Sequence, residues 1–129
     1  MDIMEKQMLT EEQIEQLALE VREFLLVHDM WIDTEIFFNG KKFTQKGPDG
    51  HYYYNDRDHL FCYDDADPRK CFEYVNPDHI LSMSFEGPVC HMIYYGTAPC
   101  LLKEFNAIFE KYGLYYELGN HWNFSCYYI

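Results

Sequence analysis

The chain has 129 residues and a mass of 15.6 kDa, which is the size of one domain. Lys and Arg number 10 against 22 Asp and Glu, so the formal net charge is −12, while 48% of the residues are hydrophobic and 19% aromatic. This apolar content excludes intrinsic disorder, and no run of about eighteen apolar residues could span a membrane. The acidic balance argues against nucleic acid as a partner, because phosphate backbones attract cationic surfaces.

The cysteines match no known spacing motif. They are Cys62, Cys71, Cys90, Cys100 and Cys126, an odd number without the C-x-x-C pairs of a zinc knuckle or redox site. Residues 1–16 are acidic and polar, unlike a secretory signal. Both features favour a cytoplasmic protein with free thiols, although a mature secreted form is an alternative. We expect the cysteines to be small buried hydrophobic side chains.

The N-terminal segment predicts an amphipathic helix over about residues 11–27. Thr10 is placed to act as N-cap, and Gln13 completes a capping box. Apolar side chains recur at spacings of three and four along one face. They are Ile14, Leu17, Ala18, Val21 and Leu25.

A hairpin follows the helix. Residues 31–38 alternate in polarity as a strand does. Asn39 and Gly40 form the dipeptide that best tolerates a type I′ turn, so residues 41–44 are predicted to be the returning strand.

The middle of the chain, residues 45–77, has a weaker pattern. It predicts short strands at 51–54 and 59–63 and an edge strand at 71–75. Turns rich in Gly, Asp, Asn and Pro separate them.

The C-terminal half predicts two more hairpins and a second helix. Residues 81–85 alternate, and the nearly continuous apolar run 89–95 is predicted to be a central strand covered on both faces. An apolar stripe over about residues 99–112 predicts a helix that starts with proline and ends before glycine. The last hairpin is predicted to turn at Gly119 and Asn120.

These elements predict an α+β fold in a single domain over residues 1–129. Hairpins outnumber helices, and no regular strand–helix–strand alternation or linker divides the chain. We therefore expect a mostly antiparallel twisted sheet with two amphipathic helices in a single layer on one face.

The acidic charge is uneven along the chain. Residues 1–30 contain eight acids and two bases, and residues 51–78 contain seven acids and three bases. One interpretation is a solvated surface that keeps an aromatic protein soluble. The other is a surface that meets a basic partner, as small inhibitors and immunity proteins do.

An aspartate-rich stretch between residues 55 and 67 raises the question of a metal site. Its acidic members are Asp56, Asp58, Asp64, Asp65 and Asp67. Calcium takes oxygen ligands from such loops, but the EF-hand order is absent and Arg57 lies within the cluster. Turn chemistry, in which Asx side chains cap their own backbone, explains the composition better. The spacing of the cysteines and His91 does not favour zinc either, so we predict no metal and no cofactor.

Catalytic motifs are not recognisable. The chain has no Gly-rich phosphate loop and no nucleophile signature such as G-x-S-x-G. Glu86 or Glu117 with His121 has the chemistry of an acid–base pair, but no pattern supports it.

The leading hypothesis is a non-enzymatic protein-interaction module that binds another protein or a second copy of itself. Consecutive tyrosines in a strand must alternate faces, so some rings should be exposed, and exposed tyrosines are typical of interfaces. The predicted surface combines them with the neighbouring carboxylates. Its residues are Tyr52, Tyr53, Tyr54, Asp56, Asp58, Asp64, Asp65 and Asp67. The alternative is a small-ligand-binding or hydrolytic domain with a pocket between sheet and helix, using His121, Glu117 or Cys126.

Overall fold

The computed structural model describes residues 8–72 and 75–129, and within them the chain forms one six-stranded antiparallel sheet and three α-helices. This confirms the predicted α+β class. The strands are β1 (Thr34–Phe38), β2 (Lys41–Thr44), β3 (Phe61–Tyr63), β4 (Leu81–Phe85), β5 (Leu114–Asn120) and β6 (Asn123–Tyr128). The helices are α1 (Glu11–Val27), α2 (Pro88–Ile93) and α3 (Pro99–Lys111). The order in the sheet is β3-β2-β1-β4-β6-β5.

Helix α1 begins with the predicted capping box. The Thr10 hydroxyl accepts a hydrogen bond from the Gln13 amide at 3.1 Å, and the Gln13 side chain accepts one from the Thr10 amide at 2.9 Å. Two N–H groups that the helix cannot pair are thereby satisfied. Both α1 and α3 match their predicted positions, α3 ending one residue early.

Two of the three predicted hairpins are present. Asn39 and Gly40 adopt positive φ angles of 50° and 75° between β1 and β2, as a type I′ turn requires. In the last hairpin Asn120 pairs with Asn123, so the turn lies at His121 and Trp122, two residues later than predicted.

All three helices cover the same face of the sheet. Ile36, Met83 and Phe124 lie in one row across β1, β4 and β6, and they belong to one buried cluster with side chains from each helix, such as Val89 and Phe105. The predicted single layer of helices is therefore confirmed. The interior is rich in phenylalanine, which leaves most tyrosines outside it.

The connection between β3 and β4 covers part of the other face of the sheet. This connection contains a short 3₁₀ helix, Pro68–Lys70. Phe72 packs edge-on against Phe37 of β1 and against Trp122, with ring centroids 5.6 and 5.7 Å apart. Phe37 is consequently buried on the face opposite the helices.

Four predictions about local structure need correction. The run 89–95 is not a central strand: Pro88–Ile93 is helix α2. Residues 51–54 form no strand beyond a single bridge between Lys46 and Tyr52, and the predicted strand 59–63 shortens to β3. The predicted edge strand 71–75 includes residues 73 and 74, which lie outside the described residues, and Cys71 and Phe72 before them lie in a turn.

The cysteines are unpaired, but only two of them are buried. Cys90 and Cys126 lie in the interior, whereas Cys62, Cys71 and Cys100 are exposed. The expectation of a buried side chain is thus wrong for Cys62, Cys71 and Cys100. Of the helices in the described residues, none has the length and apolar character needed to cross a bilayer.

Candidate functional site

Helix α2 builds one side of the candidate site. Pro88 occupies the first turn, where its missing N–H costs nothing. Val89, Cys90 and Met92 are buried against the core. Because these side chains anchor the inner face, the residues at the end of the helix point outward: Tyr94 and Tyr95 are 53% and 61% exposed.

Two neighbouring cavities lie at the end of the sheet where β4 finishes and β6 begins. The first, of about 360 Å³, is lined by residues that include Asp33, Glu35, Lys46, Tyr52 and Phe72. The second, of about 340 Å³, is lined by Glu86, Cys90, His91, Tyr95, His121 and Trp122. Glu86 and Trp122 line both. We call the two cavities together the aromatic groove.

Exposed tyrosines flank both ends of the aromatic groove. At one end Tyr52 and Tyr54 are 56% and 44% exposed, with ring centroids 5.7 Å apart. At the other end Tyr94 and Tyr95 meet edge-on at 5.1 Å, and Tyr94 also contacts the ring of His121. The sequence prediction of exposed tyrosine rings is confirmed for Tyr52 and Tyr54.

Tyr54 is held in position by a carboxylate. Its hydroxyl donates to Asp33 Oδ1 at 2.6 Å, and this hydrogen bond raises the pKa of Tyr54 to about 12. Asp33 precedes β1 in a left-handed conformation with φ of 51°, which aspartate tolerates better than most residues. The ring of Tyr54 is therefore fixed rather than free to rotate away.

The side chain of Tyr53, in contrast, is engaged in contacts within the protein. Its hydroxyl donates to Asp49 Oδ2 at 2.8 Å, and its ring stacks on His59 at 4.5 Å. His59 in turn contacts Asp56 through Nδ1 at 2.7 Å, and the Asp58 amide donates to the same Asp56 side chain. Desolvation acts to raise the pKa of Asp56, but these hydrogen bonds together outweigh it and lower the pKa.

The loop that carries these residues is fastened to the helix layer. Arg22 of α1 is buried, and its Nη2 donates to the carbonyl oxygen of Asp56 at 3.2 Å. Asn55 exchanges two hydrogen bonds with the backbone of Trp31, one from each amide. Tyr52, Tyr53 and Tyr54 therefore lie in a loop that hydrogen bonds attach to Arg22 of α1 and to the backbone of Trp31.

The remaining predicted carboxylates lie at the opposite end of the sheet. Asp65 and Asp67 line a different cavity, beside the turn at Asn39 and Gly40, and Asp64 directly follows β3. The length of β1 separates this cavity from Asp33, about 20 Å at the usual rise per residue. The eight predicted site residues therefore do not form one surface.

Turn chemistry accounts for two of the five predicted aspartates. Asp56 caps its own turn as described above, and Asp67 caps the 3₁₀ helix by accepting from the Arg69 amide at 2.9 Å. The Arg69 side chain also binds Asp67 at 3.2 Å. Asp58, Asp64 and Asp65 are exposed.

Of the groups suggested for catalysis, the structure brings only Glu86 and His121 to one cavity. Cys126 is fully buried on the helix side, where burial raises the pKa of its thiol. Glu117 pairs with Ser125 on the other face of β6, and His121 lies in the aromatic groove. A cavity of about 360 Å³ does separate α3 from β5, but none of these three residues lines it.

A serine–histidine contact is also inaccessible. The hydroxyl of Ser82 lies 3.1 Å from His79 Nδ1 and 2.7 Å from the hydroxyl of Ser125. Both serines are buried, so a substrate could not reach them. In the described part of the chain, no group of three or more His, Cys, Asp or Glu side chains is arranged to hold a metal ion.

Sequence reasoning missed the half of the site that α2 provides. As the buried strand that the sequence predicts, the apolar run 89–95 would hide most of the rings of Tyr94 and Tyr95. Pro88 was the signal that could have corrected this, because proline is favoured in the first turn of a helix. Glu86 and His121 were considered only as a catalytic pair, and the structure places both at the same cavity.

No protein-family model, no curated protein and no solved structure matches this chain.

Proposed function

We propose that the protein is a cytoplasmic, non-enzymatic interaction module that binds another protein through the aromatic groove. One observation carries the proposal: four tyrosines that are between 44% and 61% exposed flank a single groove, while the interior is filled by other side chains. Tyrosine presents a large, stiff, amphipathic surface that loses little conformational entropy on binding. Tyrosine is enriched in protein interfaces relative to the rest of the protein surface.

The charge of the protein indicates the character of the partner. The net charge is −12, and the aromatic groove is lined by Asp33, Glu35 and Glu86 against one lysine, Lys46. Complementary potentials steer association and select partners. A basic protein is therefore the favoured partner, in the manner of a small inhibitor or immunity-type protein.

The fixed geometry of the tyrosines supports binding rather than mere solubility. Tyr54 is oriented by Asp33, and Tyr94 and Tyr95 project from a helix whose other side is buried. A surface that is already ordered pays little ordering entropy when it binds. A purely solvated face would not need rings held in this way.

The test is to capture a partner from the native host with the wild-type chain and to identify it. Its affinity is then measured by calorimetry for the wild type and for the double variants Tyr52→Ala/Tyr54→Ala and Tyr94→Ala/Tyr95→Ala. Central tyrosines of an interface cost about 1–4 kcal/mol when truncated, so we expect a loss of at least tenfold for one or both double variants.

Tyr115→Ala is the matched control for this test. Tyr115 is 41% exposed on β5 and does not line the aromatic groove, so its removal should leave the affinity unchanged. Affinity should also fall as the salt concentration rises. If the wild type, both double variants and Tyr115→Ala bind the partner with equal affinity, the proposed function is refuted.

A further inference from the structure

We infer that the aromatic groove accepts an arginine or lysine side chain of the partner, with Glu86 as the carboxylate that binds it. This inference rests on the proposed function, since it assigns the chemical group that the partner presents to the same groove. The cation would enter the second cavity, between Tyr95 and Trp122.

Glu86 occupies the junction of the groove. It is the charged residue that lines both cavities. Its backbone is fixed, because the Glu86 amide donates to the carbonyl oxygen of Asp33 at 3.1 Å. The side chain is exposed and, among the described residues, takes part in no ion pair. A carboxylate in this position can accept charge-assisted hydrogen bonds from an incoming cation.

Two aromatic side chains line the second cavity together with Glu86: Trp122 and Tyr95. Trp122 packs edge-on against Phe72 at 5.7 Å, and Tyr95 lies beside His91. The electron-rich faces of tryptophan and tyrosine attract guanidinium and ammonium groups. A cavity lined by a carboxylate and two such rings favours a cation over a neutral or anionic side chain.

The first cavity already contains a cation of the chain itself. Lys46 Nζ lies 5.8 Å from the centre of the Tyr52 ring, so this ring is partly occupied. Among the described residues, in contrast, no lysine or arginine lines the second cavity. The open place for a partner's cation is therefore the second cavity, where Glu86 supplies the formal negative charge.

The experiment titrates two capped tripeptides into the full ¹⁵N-labelled chain and follows its NMR spectrum. The probes are acetyl-Gly-Arg-Gly-amide and the uncharged acetyl-Gly-Gln-Gly-amide. We expect the arginine peptide to shift the indole N–H of Trp122 and the amides of His91 and His121 in a saturable way. The glutamine peptide should bind at least about fivefold more weakly, as a cation–π contact with one charged hydrogen bond implies.

Glu86→Gln is the decisive variant and Glu104→Gln its matched control. Glu104 is an exposed carboxylate on α3 that lines neither cavity of the groove. Both variants lose one negative charge, so the net charge of the protein changes equally. We expect Glu86→Gln to weaken the arginine peptide about fivefold, with Glu104→Gln close to the wild type.

Three results would overturn this inference: no saturable shift with the arginine peptide, equal affinity for both peptides, or equal affinity of the two variants. These outcomes are separable from failure of the proposed function. If the partner still loses affinity with Tyr94→Ala/Tyr95→Ala but binds Glu86→Gln normally, the interaction surface stands and only the cation assignment is wrong.

Discussion

Replacing Arg22 by methionine should destabilise the protein and loosen the loop that carries Tyr52 and Tyr54. Arg22 Nη2 donates to the Asp56 carbonyl at 3.2 Å and makes two longer contacts, of 3.4 and 3.5 Å, to the carbonyls of Arg57 and His59. We count these as about one good charged hydrogen bond, worth about 1.5–3 kcal/mol. Burial lowers the pKa of Arg22, which reflects a desolvation cost that methionine avoids.

The net expectation for Arg22→Met is a loss of about 2 kcal/mol in the free energy of unfolding. For a chain of this size that corresponds to a fall of about 8 °C in Tm. Urea denaturation measures the loss, and hydrogen exchange of the Asn55 amide, which donates to the Trp31 carbonyl at 3.1 Å, reports on the loop. That exchange should become faster.

Arg57→Met is the control for the same change at an exposed position. Arg57 forms an ion pair with Glu23 in which both side chains are about half exposed, and such pairs contribute at most about 1 kcal/mol. If Arg22→Met costs no more than Arg57→Met, or if the exchange of the Asn55 amide does not change, the loop is not fastened by Arg22.

Three further predictions concern stability. Thr10→Ala removes the hydroxyl of the capping box and should cost about 1 kcal/mol in urea denaturation; a loss below about 0.3 kcal/mol would argue against the cap. Gly47→Ala should cost about 1–3 kcal/mol, because the added Cβ would lie 3.0 Å from ring atoms of Tyr53 and Phe61, and an unchanged Tm would contradict this. Burial raises the pKa of the Cys126 thiol in the folded state. The neutral thiol therefore contributes fully to the free energy of unfolding below about pH 8.5, the ordinary pKa of a free thiol. Above that pH the contribution is lost at about 1.4 kcal/mol per pH unit, as long as only the thiol of the unfolded chain ionises. Between pH 9 and 10 the stability of Cys126→Ala should therefore fall less steeply than that of the wild type, and parallel slopes would refute the assignment.

Much of the fold follows from local sequence signals. The helix that starts after Thr10 and the turn at Asn39 and Gly40 are specified by side chains within a few residues of each other. The α3 stripe is long enough for its period to be unambiguous. These elements form where predicted because capping, turn chemistry and periodicity all favour the same structure.

The run 89–95 shows where such signals fail. Seven nearly continuous apolar residues fit a covered strand or a short buried helix equally well. Packing in the core favours the helix over the strand, because Val89 and Met92 lie on one side of a helical turn and both belong to the buried cluster. That choice also exposes Tyr94 and Tyr95.

The sequence by itself determined the class of the fold, the position of both long helices and the turn at Asn39 and Gly40. Only the tertiary structure decided that Tyr52 shares a groove with Glu86 and Tyr95, which are more than thirty residues away in the chain. The tertiary structure also places Asp65 at the end of the sheet opposite the aromatic groove. The physical reason is that strand order and helix packing depend on contacts between distant segments, and no pattern within one segment encodes which segments will meet.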